Sequence, residues 1–270
     1  MKIIRLLFLI ALTGTITNCT TIKSAGEMKK ANIKSIKEYY QLKVFTLKSS
    51  SQVNVMDAYL EEAYLPALKR LNINNVGVFK QLKKETDTIK KIFVLIPFKT
   101  FEQFLEIENG LRNDKAYLNV ASKYLNASYD QPPYVRIEST LMKAFVDFPK
   151  MKLPNLNAPK ADRVYELRSY ESSTDTYYQN KVDMFNAGGE IKLFDRLNFN
   201  SVFYGEVISG AKMPNLMYLT TFSDMTSRDK HWEQFGNSPE WKELTAIEKY
   251  KNTVSHADIM LLYPTEYSDY

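Results

Sequence analysis

Polar and apolar residues alternate along residues 38–47, with Tyr40, Leu42 and Val44 on one face and Gln41, Lys43 and Phe45 on the other, the period of two that marks a strand. Ser50 or Ser51 then offers a cap for a helix running to about residue 71, in which Val55, Tyr59, Ala63, Leu65 and Leu68 form an apolar stripe at helical spacing. Residues 74–82 and 89–98 read as two strands around a charged connection, and the second is apolar almost without interruption, as in a central strand. Thr100 opens a helix carrying Phe101, Phe104, Leu105 and Ile107, Asp114 opens another through Tyr117 and Tyr124, and residues 134–145 form a last strand. The order β-α-β-β-α-β is that of a ferredoxin-like unit.

Pro149, Pro154 and Pro159 punctuate residues 149–161, which lack periodicity and read as a linker. The same plan then recurs. Residues 163–171 alternate as a strand, a helical stretch from Thr174 is interrupted at Gly188-Gly189, and strands over 199–209 and 215–222 flank a loop with Gly210 and Pro214. Asp224 caps a helix carrying Trp232 and Phe235, Ser238-Pro239 begins another with Trp241, and residues 257–263 close the set. Tyr40-Gln41-Leu42-Lys43-Val44-Phe45 returns as Tyr165-Glu166-Leu167-Arg168-Ser169-Tyr170, while Phe98 corresponds to Phe222 and Tyr117 to Trp241 in near-constant register. A repeat this long is a domain and not a solenoid unit. The expected fold is α+β: two tandem ferredoxin-like domains, 37–148 and 162–266, joined by 149–161.

The first residues change the picture. Lys2 and Arg5 accompany the apolar run 3–12, too short to span a bilayer but suited to a secretory signal. Cys19, the single cysteine, follows it and resembles the lipidation site of a bacterial lipoprotein, although Asn18 stands where a small residue is usual. Residues 1–19 are therefore expected to be a signal with a lipidation site, 20–36 a tether, and the product an exported protein held to a membrane by a lipid anchor, with plain secretion as the alternative. One cysteine forms no internal disulfide. With 25% charged and 44% hydrophobic residues the remainder has ordinary globular composition. The net charge of +5 is densest at Lys80, Lys83, Lys84, Lys90 and Lys91, a lysine cluster beside a hairpin without the arginine and aromatic interleaving of a nucleic-acid surface, so no nucleic-acid partner is expected.

Tyr165-Glu166-Leu167-Arg168-Ser169-Tyr170, Phe203-Tyr204-Gly205-Glu206 and Pro239-Glu240-Trp241 together resemble the NIPSNAP family over residues 162–264, and the first repeat carries a weaker version with Gln41 and Lys43 in place of Glu166 and Arg168. The resemblance implies a dimeric α/β-barrel fold, in which the tandem copies here would supply both sheets of one pseudo-twofold barrel. Relatives on that fold include oxygenases, haem enzymes and small isomerases, a likeness of fold and not of activity.

On the strand of the second repeat Glu166, Arg168 and Tyr170 share one face. A buried Glu and Arg need partners, so they are expected either to pair structurally or to form a polar pocket inside the barrel, where Arg168 would hold a carboxylate or phosphate with help from Tyr204, Glu206 or Tyr218. His231 is a candidate haem ligand or general base. No spacing in the sequence suggests a metal site, a phosphate loop or a nucleophile elbow. The 18 Tyr and 15 Phe suit a core, and equally an aromatic-lined cavity between sheets for a small hydrophobic ligand. Two functions follow: a module binding a ligand or a protein partner, open to homodimerisation, or an enzyme of the antibiotic-monooxygenase or haem-dependent kind using Arg168, Tyr170 and His231.

Overall fold

Most alternating segments become strands whose two faces meet two different cores. In the computed structural model, which describes residues 37–82 and 88–270, the strands are β1 (Tyr39–Leu47), β2 (Gly77–Gln81), β3 (Lys90–Phe98), β4 (Arg136–Ala144), β5 (Val164–Glu171), β6 (Ser201–Ser209), β7 (Asn215–Phe222) and β8 (His256–Pro264). Cys19, the tether, Lys83 and Lys84 lie outside the described residues. The eight strands close into one antiparallel barrel in the order β1-β3-β2-β8-β5-β7-β6-β4. Within each half the neighbour order is the same, β4-β1-β3-β2 and β8-β5-β7-β6, and the halves join where β2 pairs with β8 and β4 with β6. Closure leaves no open sheet edge.

Tyr40, Leu42, Phe93, Leu95, Tyr165, Leu167, Phe203, Val207, Met217, Leu219 and Leu262 point inward and form the core of the barrel. The opposite faces pack under two helical layers. Over the first half lie α1 (Ser50–Ala58), a π-helical segment (Tyr59–Tyr64), α2 (Leu65–Arg70), α3 (Phe101–Asn113), α4 (Lys115–Val120) and α5 (Ser122–Leu125). Over the second lie α6 (Asp175–Phe185), α7 (Glu190–Arg196), α8 (Met225–Asn237) and α9 (Pro239–Ala246).

Caps explain most helix starts. Thr100, Asp114, Thr174, Asp224 and Ser238 each accept a backbone N–H with the side chain, as their positions in the sequence predict. The first helix differs by one residue, because Ser49 and not Ser50 or Ser51 takes the N–H of Gln52. Gly189, at φ +91, makes the reversal between α6 and α7, at the interruption that Gly188-Gly189 predicts.

Strand β2 begins three residues later than the pattern over 74–82 suggests. Asn72 and Asn75 take left-handed conformations at φ 59 and 60, which break the extended run. Part of the edge that follows is claimed by the segment after β8: Val76 donates to Asp269 Oδ2, Val78 to Ser268 Oγ, and Thr265 to the carbonyl of Val78. This brings the ring of Tyr270 into the barrel, 5.9 Å from Phe79 and 6.3 Å from Tyr165. One end of the barrel is thereby filled. Gly77 makes that fit possible, since a Cβ there would stand 2.5 Å from the Phe79 ring and 2.7 Å from the Tyr270 hydroxyl. Gly77→Ala is expected to destabilise the fold by about 1–3 kcal/mol through overpacking, read as a lower midpoint in chemical denaturation.

Candidate functional site

Glu166 is fully buried on β5, and the structure places it on the helix-facing side of the strand, not in the lumen. Its Oε1 accepts from Arg168 Nε at 2.6 Å, and its Oε2 accepts from Arg228 Nε at 2.6 Å and Trp232 Nε1 at 2.8 Å, both on α8. Arg168 also donates from Nη1 to the Tyr170 hydroxyl at 2.7 Å, and that hydroxyl meets the Tyr218 hydroxyl at 3.0 Å. The guanidinium lies 3.7 Å from the centroid of the Trp232 ring, a cation–π contact that covers its face. Burial alone would raise the pKa of Glu166; the hydrogen bond from Arg228 and the charge and hydrogen bond of Arg168 overcome this and hold it below the ordinary carboxylate range. Two arginines and an indole thus satisfy one carboxylate. The group clamps α8 to β5.

Of the two expectations for Glu166 and Arg168, the structure carries the structural pairing, and these residues form no polar pocket inside the barrel. Alternation on β5 sends Tyr165, Leu167 and Ser169 inward and Glu166, Arg168 and Tyr170 toward the helices. Tyr218 joins the network, but Tyr204 and Glu206 do not: the Tyr204 hydroxyl bonds Ser201 Oγ at 2.6 Å within an aromatic layer, and Glu206 faces Lys143 at 3.5 Å. His231 is turned between Phe199 and Phe222, with Nδ1 2.6 Å from the carbonyl of Ser227 one turn earlier, so that nitrogen carries the proton. Those rings belong to the helix-side layer, so His231 does not line the lumen cavity. The first half keeps a reduced version of the clamp. Lys43 stands at the place of Arg168 and bonds the Tyr64 hydroxyl at 3.1 Å, while Gln41 stands at the place of Glu166 and reaches Ser139.

The lumen itself holds a cavity of about 530 Å³, open at the end away from Tyr270. Leu42, Val44, Phe93, Val207, Met217 and Met260 make its apolar wall. Ser169 and Asn215 bring polar groups to that wall, and Asn215 Nδ2 lies 2.8 Å from Ser169 Oγ. Asn215 is only 2% exposed, and its Oδ1 has no partner among the described residues. At the mouth stand Lys91, Glu138, Lys212 and Asp258. A cavity of this size with apolar walls and a few polar groups has the make-up of a small-molecule site.

Beside the mouth, pairing of Glu171 with His256 across β5 and β8 collects Glu171, His256 and Asp258, whose ligand atoms lie within 4.8 Å of one another. The sequence spacing hides this grouping, since a strand register makes it. Its cation is already present: Lys212 contacts Asp258 directly and lies 3.7 Å from Glu171. Lys212 holds the carboxyl of Asp258 below the usual range by its hydrogen bond.

Ser169, Asn215, Arg228 and Trp232 are the residues that sequence reasoning missed. Arg228 and Trp232 are four apart on one helix face, and Ser169 is a polar interruption in an inward apolar series; both signals were available.

Among solved structures, the chain is similar to a candidate monooxygenase of Fusobacterium nucleatum, with 11% identity, a TM-score of 0.56, and coverage of 85% of this chain and 93% of that one. A candidate monooxygenase of Lactobacillus acidophilus gives 11% identity, a TM-score of 0.54, and coverage of 84% and 94%. A NIPSNAP-like domain protein of Burkholderia xenovorans is similar at 16% identity and a TM-score of 0.36, over 40% of this chain and 90% of that one. No curated protein matches the chain. The likeness to the two monooxygenase-type chains is one of fold, an α+β closed barrel. The family resemblance read from the Tyr165–Tyr170 strand is met by the family model, and residues 165–269 match NIPSNAP.

Proposed function

We propose that this chain is an exported, lipid-anchored binding protein that takes a small, largely apolar molecule into the barrel lumen, on a fold derived from two tandem ferredoxin-like units. The observation that carries the reading is the lumen cavity of about 530 Å³, whose apolar wall is interrupted by Ser169 and Asn215. Anchoring rests on Cys19 and its preceding apolar run. Replacing Cys19 by Ser is expected to move the protein from the membrane fraction to the soluble one and to remove the acyl mass; unchanged fractionation and mass would refute the anchor.

The alternative is an oxygenase on the same fold, by likeness to the two monooxygenase-type chains. Arg168, Tyr170 and His231, the residues such chemistry would use, are absent from the cavity lining, which favours binding over that version of catalysis.

Native mass spectrometry of the full chain, before and after denaturation, tests the reading. A small molecule is expected to accompany the folded protein and to be lost on unfolding. Met217→Trp, which fills the lumen, is expected to abolish that adduct while the folded charge-state distribution persists. An adduct that survives in Met217→Trp would place the ligand elsewhere.

A further inference from the structure

The lumen cavity changes character along its length. Its charged lining residues all stand toward the mouth: counted from that end, Lys91 is second in β3, Glu138 third in β4 and Asp258 third in β8, while Lys212 lies in the loop between β6 and β7. The strand register adds to this polar end. Asp258 stands opposite Ser169, Glu171 opposite Asn215 and His256, and Lys212 serves both carboxylates, bonding Asp258 and lying 3.7 Å from Glu171. Deeper in, Phe93, Met260 and Leu42 are fourth, fifth and sixth from the same end of their strands. Thr140, opposite Leu42, brings a hydroxyl to that depth but no charge. Beyond them Tyr40, Leu95, Leu167 and Leu219, none more than 2% exposed, fill the lumen toward Tyr270.

We propose that the lumen takes a slim amphiphile tail first, with its apolar chain between Leu42, Phe93, Met217 and Met260 and its polar head at the mouth among Lys91, Glu138, Lys212 and Asp258. The inference rests on the lumen being a ligand site and adds the chemical class and the direction of what enters. Each methylene buried against the deep wall is worth about fourfold in affinity. A polar head carried to the same depth would lose its water without a matching set of partners, whereas at the mouth it keeps solvent on one side and meets charges of both signs. An eight-stranded barrel has room inside for one small ligand, so the chain lies along the barrel axis.

Three probes with the same chain separate the possibilities: 1-octanol, octyl glucoside, whose bulky head cannot enter the lumen, and 1,8-octanediol, which is polar at both ends. Each is titrated into the full chain, octyl glucoside below the concentration at which it forms micelles, and binding is followed by methyl NMR of Met217 and Met260. Octanol and octyl glucoside are expected to bind within about fivefold of each other, and the diol at least about tenfold more weakly, because one of its hydroxyls must enter the apolar end. In the octyl glucoside complex the terminal methyl of the chain is expected to give cross-peaks to Met217 and Met260, and the glucose protons to neither. Met260→Gln, which puts an amide at the deep wall, is expected to weaken octyl glucoside about tenfold; Met260→Thr serves if that variant does not fold. Binding of octanol without octyl glucoside, a diol as tight as octanol, or an octyl glucoside affinity that neither substitution changes would overturn the amphiphile and its direction while leaving the lumen a binding site. If no probe shifts the two methionine methyls, both the class and the lumen reading fall.

Discussion

Glu166→Ala is expected to destabilise the protein by about 3–5 kcal/mol, because it leaves Arg168 and Arg228 without their shared carboxylate and the Trp232 indole without its acceptor. For a body of this size the loss corresponds to a fall in Tm of about 10 °C. Thermal and denaturant unfolding of the full chain provide the measurement. The same change is expected to leave ligand affinity in the lumen nearly intact, since Glu166 lies on the other side of β5. A variant with unchanged Tm and lost binding would return Glu166 to the ligand site. The clamp also has a pH signature. Because the folded pKa of Glu166 is depressed, its stabilisation is complete above the ordinary glutamate value of about 4.3 and is lost as pH falls through the depressed folded value. Wild type is therefore expected to lose stability on acidification from this source, and Glu166→Ala to lack that component.

Lys181→Met is expected to cost a comparable amount, about 3–5 kcal/mol at neutral pH. Lys181 on α6 and Glu190 on α7 form an ion pair of 2.9 Å with side chains 5% and 3% exposed, and the ammonium also lies 4.6 Å from the Phe185 ring centroid. Burial raises the pKa of Glu190, while the charge of Lys181 opposes the rise. Removing the lysine leaves a buried carboxyl that prefers to be protonated. Lys181→Met is accordingly expected to grow less stable as pH rises above about 4.3, the value for an unfolded glutamate, until the raised folded pKa is passed. Adding Glu190→Leu is expected to recover most of the loss or exceed wild type, because a packed apolar pair often equals a buried ion pair. Denaturant midpoints at acidic and neutral pH read all three forms. A double variant as unstable as Lys181→Met alone would show that the pair holds α6 against α7 by geometry that apolar packing does not replace.

Strands and caps were largely legible because they depend on local chemistry. The period of two in Tyr39–Leu47 and Val164–Glu171 placed both strands, and Thr100, Asp114, Thr174, Asp224 and Ser238 marked helix starts by what their side chains can accept. The face of the sheet toward which each residue set turned was not legible. Alternation says that Glu166 and Leu167 face opposite ways, and it is silent on which way is inward. The answer depended on α8, some sixty residues later, where Arg228 and Trp232 supply the partners of Glu166. The cavity was hidden for a related reason. Its wall gathers residues from all eight strands, and the Asn215–Ser169 pair joins two positions 46 apart. The late start of β2 came from left-handed Asn72 and Asn75 and from the segment reaching Tyr270, whose bonds to Val76 and Val78 join positions 193 and 190 apart.

Fragment crystallography on the full chain tests most directly whether the lumen is a ligand site. Crystals soaked with a library of small aromatic and aliphatic amides, ketones and hydrocarbons are expected to show density between Phe93, Met217 and Met260. Density confined to the outer surface, with the lumen filled only by ordered water in every soak, would contradict it.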